Sequence, residues 1–153
     1  MDQKEFHVEL MRKWVVSVID GIDAFVEEDA KKKILETCGK ACGVYHGHLD
    51  KIANLKRKGK NLKEILDYMN RKNMWCGDWI YEDDIISSTC KTCECPLILN
   101  KMIELSPTFC YCSRGFVKAV FEKILEKPVD VELNKAIGRG DEVCHFTVAY
   151  GKD

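Results

Sequence analysis

Nine cysteines stand among 153 residues, and the densest run reads Cys90-Lys-Thr-Cys93-Glu-Cys95-Pro96, with fourteen residues between Cys95 and a second pair, Cys110-Tyr-Cys112. In an extended chain, residues two apart point to the same side, so each C-x-C pair aims its two thiols one way. If the two segments meet, four sulfurs converge. Three chemistries stay open: zinc held by Cys93, Cys95, Cys110 and Cys112, a reactive thiol, and separate buried thiols acting as small hydrophobes. Positions on one face of a strand lie ~6.6 Å apart, whereas sulfurs on a tetrahedral zinc lie under ~4 Å from each other. The side chains would therefore have to lean together. The overlapping pair Cys90 and Cys93 has the more familiar C-x2-C zinc spacing.

Among the nine, Cys112 has the strongest claim to nucleophilicity. It directly precedes Ser113 and an amphipathic stretch from Arg114 to Glu126. A thiol at a helix amino terminus feels the positive end of the macrodipole, and Arg114 adds a charge, so a thiolate there is favoured. Phe109, Tyr111 and Phe116 oppose it with apolar bulk, and zinc ligation would mask it. A catalytic Cys112 would need His46, His48 or His145 as base. Cys38, Cys42 and His46 fall at i, i+4 and i+8, a ligand-like row on an unbroken helix. They share a face with Ile34, Leu35 and Ala41, however, and Gly43 is expected to end that helix before His46, so core packing is the stronger reading. Cys144 alternates with Phe146 and Val148, as a core cysteine on a strand would.

The elements that must position these residues change character midway. From Phe6 to Val26, apolar residues such as Met11, Trp14, Val15, Val18 and Ile22 recur at helical spacing, with Gly21 a weak point. Glu28 and Asp29 open a second helix. A third, with Leu49, Ile52 and Leu55, runs into the solvated basic loop Lys56-Arg-Lys-Gly-Lys60, and Asn61 with Glu64 makes a capping box for a fourth. After Asn73 the residues become aromatic and β-branched, and Asp83-Asp84 offers a turn between two strands. A helix capped by Ser113 and stopped before Pro128 follows, then a hairpin from Val129 to Val148 around Gly138-Arg-Gly-Asp141. Helices first, then an antiparallel sheet carrying one helix, predicts an α+β fold. It predicts one domain over 1–153, with a helical half over 1–73 and a sheet-plus-helix half over 74–153.

Composition narrows the partners. Lys and Arg total 24 against 25 Asp and Glu, a formal charge of -1, so no general field draws the chain to nucleic acid. The charged amino terminus lacks the apolar run of a signal peptide, and no stretch approaches the ~18 apolar residues of a membrane span. A cytoplasmic protein that does not enter a membrane is expected. An odd cysteine number without a secretory signal argues against a disulfide framework. Trp75, Trp79, Tyr81, Phe109, Phe116 and Phe121 exceed what a small sheet under one helix needs. Either they simply fill the core, or they line an apolar pocket for a small hydrophobic molecule. Oligomeric state stays open, a homodimer included.

From Ser113-Arg-Gly-Phe116 through the helix, Glu126-Lys-Pro-Val129, Val131-Glu-Leu133, Gly138-Arg-Gly-Asp141 and Val143-Cys-His-Phe146, the order of features resembles the carboxy-terminal half of the hydrocarbon-binding domains related to vinyl 4 reductase. The resemblance implies an α+β module around an apolar cavity, in some members with zinc held by cysteines and a carboxylate near this helix and hairpin. Cys110 or Cys112 and Cys144 match in type, while Ala136 stands where a further cysteine would be expected. Lys13-Trp14, Ile34-Leu-Glu-Thr-Cys-Gly-Lys-Ala-Cys42 and Cys93-Glu-Cys-Pro96 look more like uncharacterised bacterial proteins near the L-2-amino-thiazoline-4-carboxylic acid hydrolases. The expectation is thus a ligand-binding domain with a thiol-rich, zinc-competent site. The alternative is a cysteine-dependent hydrolase of a small amide, thioester or thiazoline-type heterocycle.

Overall fold

The helical half begins at a capping box. The Asp2 side chain accepts from the Glu5 amide, and the Glu5 carboxylate accepts from the Asp2 amide, opening α1 at Gln3–Phe25. In a computed structural model that describes residues 2–150, α1 runs unbroken through Gly21. An exposed helix tolerates one glycine at a cost of only about 1 kcal/mol. α2 spans Glu28–Tyr45, α3 His48–Arg57 and α4 Leu62–Arg71. The Asn61/Glu64 capping box starts α4 as the sequence predicts. Gly43 does not end α2: it is buried within the helix, and the helix stops at His46, where Gly47 turns the chain with a positive φ of 68°. The expected break was misplaced because Gly43 has no positive φ, and the left-handed turn that ends the helix falls at Gly47 instead.

The sheet half opens with β1 (Ile80–Glu82) and β2 (Ile85–Cys90), joined at Asp83 and Asp84. Both turn residues have positive φ, 49° and 63°, the backbone of a two-residue hairpin that matches strand twist. Asn70 fixes this hairpin to α4: its side chain donates to the Trp79 carbonyl at 2.9 Å and accepts from the Trp79 amide at 2.8 Å. After a short helix α5 (Pro96–Leu99) comes α6 (Cys110–Leu125), then β3 (Asp130–Lys135), a single 3-10 turn (Ile137–Arg139) and β4 (Cys144–Ala149). The strands form one antiparallel sheet in the order β1-β2-β4-β3, with Val131 opposite Val148 and Leu133 opposite Phe146. The α+β architecture is therefore the one read from the sequence.

α6 holds the molecule together. Val117, Val120, Phe121 and Ile124 are buried against Ile86, Val131 and Val148 of the sheet and against Ile52, Ile65 and Met69 of α3 and α4. Burying each such side chain stabilises the fold by roughly 1.5–3 kcal/mol. The opposite side of α6 meets α2 at backbone distance. A methyl group on Gly39 would run into the Cys112 carbonyl and the Phe116 amide, and one on Gly115 would run into the backbone of Glu36. Arg114 ties the same seam, pairing with Glu36 and donating to the Val131 carbonyl. α1 lies outside this packing: it has no fully buried residue, and only half-buried Val15, Val16, Ile19 and Ile22 touch a smaller cluster with Leu35 and Phe109.

Two expectations need correction. α6 starts at Cys110 with Phe109 as its cap residue, so Ser113 lies inside the first turn rather than capping it. Cys76 and Cys90 are joined as a disulfide, with Cα atoms 4.6 Å apart. The odd count of cysteines argued against a framework of bridges and carried no information about a single one.

Candidate functional site

Between α2, α3, α6 and the Cys90/Cys144 end of the central strands β2 and β4 lies a cavity of about 510 Å³, within the size range of small-molecule sites. Its apolar side is made by Trp75, Phe116 and Phe146. Trp75 packs edge-on to Phe116, and the His48 ring sits 5.4 Å from Trp75 and 5.7 Å from Phe116, centroid to centroid. Burial depresses the His48 pKa, with Lys51 and His46 adding repulsion, so the ring favours its neutral form. Its Nδ1 is buried and has no hydrogen-bond partner among the described residues. A buried polar atom left unpaired costs about 1–3 kcal/mol.

The remaining walls carry sulfur and polar side chains, among them Lys51, Lys72, Asn73, Thr92 and Glu94. Cys42, Cys90, Cys93, Cys95, Cys112 and Cys144 all border the cavity. They fall into two groups, and the helical start of α6 divides them. Residues two apart on a helix point to nearly opposite sides, so Cys110 and Cys112 part company instead of aiming together as extended chain would have them. Cys112 faces α2, where its S–H donates to the Cys42 sulfur, with Cys95 and Cys38 close enough to be felt electrostatically. Cys110 faces the 3-10 turn with Cys144 and Cys93. Cys93 and Cys95 are divided the same way. Among the described residues, no three His, Cys, Asp or Glu side chains are grouped as a metal ion would need. The four-sulfur set expected of Cys93, Cys95, Cys110 and Cys112 is not assembled.

The two groups differ in acidity. The Cys112 donor brings Cys42 down to about 6, against the opposing effect of burial and with help from the charge of His46. Cys112 is driven upward by the same hydrogen bond and by its own burial, being only 8 % exposed. In the other group, burial pushes Cys110 up to about 11, although the Gly138 amide offers it a hydrogen bond. Cys144 accepts from the Ile137 amide at 3.4 Å and is still raised, burial again leading. Cys93, Cys95 and Cys38 are raised for the same leading reason. The thiolate character that the helix dipole was expected to give Cys112 thus belongs to Cys42, which sequence reasoning assigned to the core. The signal for Cys42 was Gly39, whose missing side chain lets α6 approach.

Of the aromatic residues expected to line a pocket, Trp75 and Phe116 do so. Trp79 and Phe121 are buried in the main core with ring centroids 4.8 Å apart, and the Trp79 indole donates to the Met74 carbonyl. Phe109 belongs to the smaller cluster beneath α1, where it borders a second groove with Ile19 and Ile103. Tyr81 is exposed on β1 and stacks on Tyr150. Of the candidate bases, His46 and His48 border the cavity, while His145 does not and is hydrogen-bonded to Thr89.

Residues 1–152 match the family described as "Family of unknown function (DUF6144)". A 39-residue stretch is 44% identical to uncharacterized protein MJ0745 of the archaeon Methanocaldococcus jannaschii, covering 26% of this chain and 22% of that protein. The fold is similar to the trafficking protein particle complex subunit 3 of Naegleria fowleri, solved covalently bound to palmitic acid. That likeness has a TM-score of 0.56 and 15% identity, over 97% of each chain. It is also similar to the phenol-responsive sensory domain of the transcription activator PoxR, solved with phenol. There the TM-score is 0.57 at 14% identity, over 93% of this chain and 73% of that one. Among the described residues, no helix is long and apolar enough to cross a membrane.

Proposed function

The chain belongs to the DUF6144 family, and we propose that it binds a small molecule with an apolar body and one hydrogen-bonding end, held in the cavity between α2, α6 and the sheet. The observation that carries this reading is the His48 Nδ1, buried without a partner among the described residues and set beside Trp75 and Phe116 in the cavity wall. Apolar walls with a sparse set of polar groups are the usual build of a ligand pocket. A hydroxyl or carboxyl on the ligand would supply the missing hydrogen bond and set its orientation. Palmitic acid and phenol, found with the two fold neighbours, both join an apolar body to one oxygen-bearing end. The sequence resemblance to hydrocarbon-binding domains points the same way. We take both halves of the chain as one domain, since α6 packs on α2 with one side and on the sheet with the other.

Tryptophan emission tests the reading, because Trp75 touches the cavity while Trp79 is sealed in the core and Trp14 is exposed. Saturated fatty acids of increasing length and simple phenols should shift or quench the emission with saturable dependence, and Trp75→Phe should remove the response. His48→Phe should weaken binding of the free acid or phenol more than that of its methyl ester or ether. No saturable response to any member of either series would overturn the proposal.

A further inference from the structure

Six cysteines border one cavity, and their surroundings differ enough to single out one. Cys110 is buried, and Cys38 lies on the exposed face of α2 outside the cavity wall. Cys90 is held in the disulfide with Cys76. Cys93, Cys95 and Cys144 reach the cavity, but among the described residues no side chain donates a hydrogen bond to any of their sulfurs. Among the described residues, Cys42 alone combines partial exposure, a place in the cavity wall and a side-chain donor, the Cys112 S–H, on its sulfur. Cys112 is unsuited to react in its stead, since it is buried and engaged as the donor.

We infer that Cys42 is a covalent attachment site, which takes the acyl group of a long-chain acyl thioester whose chain lies in the cavity. This rests on the proposed binding function and names the chemistry of its ligand. The Cys42 thiolate attacks the acyl carbon; a new sulfur–carbon bond forms as the old one breaks. The outgoing thiolate leaves with the bonding electron pair and takes a proton from solvent. No oxidant or reductant enters, because one thioester replaces another.

Three features of the site favour the exchange. The Cys112 S–H keeps the attacking sulfur ionised without placing a competing charge beside it. The product is uncharged, so it suits an apolar wall of Trp75, Phe116 and Phe146 better than the thiolate does. Burial of the hydrocarbon chain in the cavity draws the equilibrium toward the protein thioester, since each methylene removed from water adds to the driving force. A disulfide between Cys42 and Cys112 would need an oxidant and would leave the cavity's apolar volume unused.

The test is to incubate the folded full-length chain with palmitoyl-coenzyme A at near-neutral pH, following intact mass and mapping the adduct by peptide. One acyl group should appear on Cys42 and be released by neutral hydroxylamine. Cys42→Ser, or wild type first blocked at Cys42 with iodoacetamide, should lose it, while Cys38→Ser keeps it. Cys112→Ala should slow the transfer severalfold. Acylation spread over several cysteines would overturn the inference. So would a rate on Cys42 no faster than in urea-unfolded chain, or recovery of a Cys42–Cys112 disulfide in place of the adduct. If free palmitate moves Trp75 emission and no thioester forms, the attachment site falls and the binding pocket stands; if neither occurs, both fall.

Discussion

Two groups of thiols lie on either side of the start of α6, each with one member in the cavity wall that is partly exposed, and only one of them makes an acidic sulfur. Cys42 and Cys112 face each other across the α2–α6 seam, one donating to the other, and the acceptor falls to about 6. Cys110 and Cys144 sit against the 3-10 turn with backbone amides beside their sulfurs, and both are raised. Crowding of thiols alone therefore does not create a reactive one. Each added neighbour repels a new negative charge, and burial penalises it further. What distinguishes the first group is a side-chain donor that stays protonated, since Cys42 and Cys144 are alike in being only partly withdrawn from water.

The largest expected effect comes from closing the seam to approach. Gly39→Leu puts a side chain where the Cys112 carbonyl and Phe116 amide stand, and neither backbone group can yield without moving α6. Overpacking a well-filled site costs about 1–3 kcal/mol, occasionally more. A clash with backbone belongs at the upper end, so circular dichroism should show a melting temperature lowered by several degrees or no folded protein. A soluble variant with an unchanged melt would remove the seam as the origin of the difference.

Removing the donor should equalise the two groups. In Cys112→Ala, the pH midpoint of Cys42 alkylation should climb from about 6 toward the ordinary thiol value of 9.0. In wild type, labelling is slow below that midpoint, where the sulfur is protonated, and fast above it. In the variant the fast regime starts only in alkaline solution. The midpoint is the better readout than the rate at one pH, because a more basic thiolate is also intrinsically more nucleophilic. Cys110 should stay unlabelled through neutral pH in both proteins, its own midpoint lying at about 11. A midpoint that does not move would break the comparison.

A smaller effect belongs to the other group. Gly138→Ala drives a methyl toward the Cys110 sulfur, the Ser106 carbonyl and Leu105, and should lower stability by about 1–3 kcal/mol in chemical denaturation. It should leave the Cys42 midpoint in place. Smallest of all, His46→Ala removes a charge that only assists, the Cys112 bond being the larger influence. The Cys42 midpoint should rise by less than a unit, and a larger rise would mean that the imidazole and not the second thiol is the main stabiliser.

Much of the fold was legible in the sequence because its signals are local. The Asn61/Glu64 cap, the Asp83-Asp84 turn and the alternation of Val131, Leu133, Phe146 and Val148 each depend on residues close along the chain or on strict periodicity. The site was less legible because it depends on which sides of helices meet. Cys110-Tyr-Cys112 read as extended chain gives one face; as the first turn of α6 it gives two, and that shift of boundary alone redistributes the sulfurs. Cys42 was recognised as sharing a face with Leu35 and Ala41 and was assigned to the core on that ground. Nothing local says that the helix facing it delivers a thiol. Trp79 and Phe121 lie in the main core while Trp75 and Phe116 border the cavity, a division that sequence cannot make because core and pocket aromatics are the same in composition.

The backbone contact at Gly39 also bears on when the acidic thiol comes into being. Its two sides are contributed by distant parts of the chain, one from the helical half and one from the helix that follows the first hairpin, so the contact closes a long loop and carries that entropic cost. Until α6 docks on α2, Cys42 has no donor and behaves as an ordinary thiol on a solvated helix. A nascent or partly unfolded chain is thereby chemically quiet at this position, and the onset of fast alkylation at mildly acidic pH becomes a clock for the docking step during refolding.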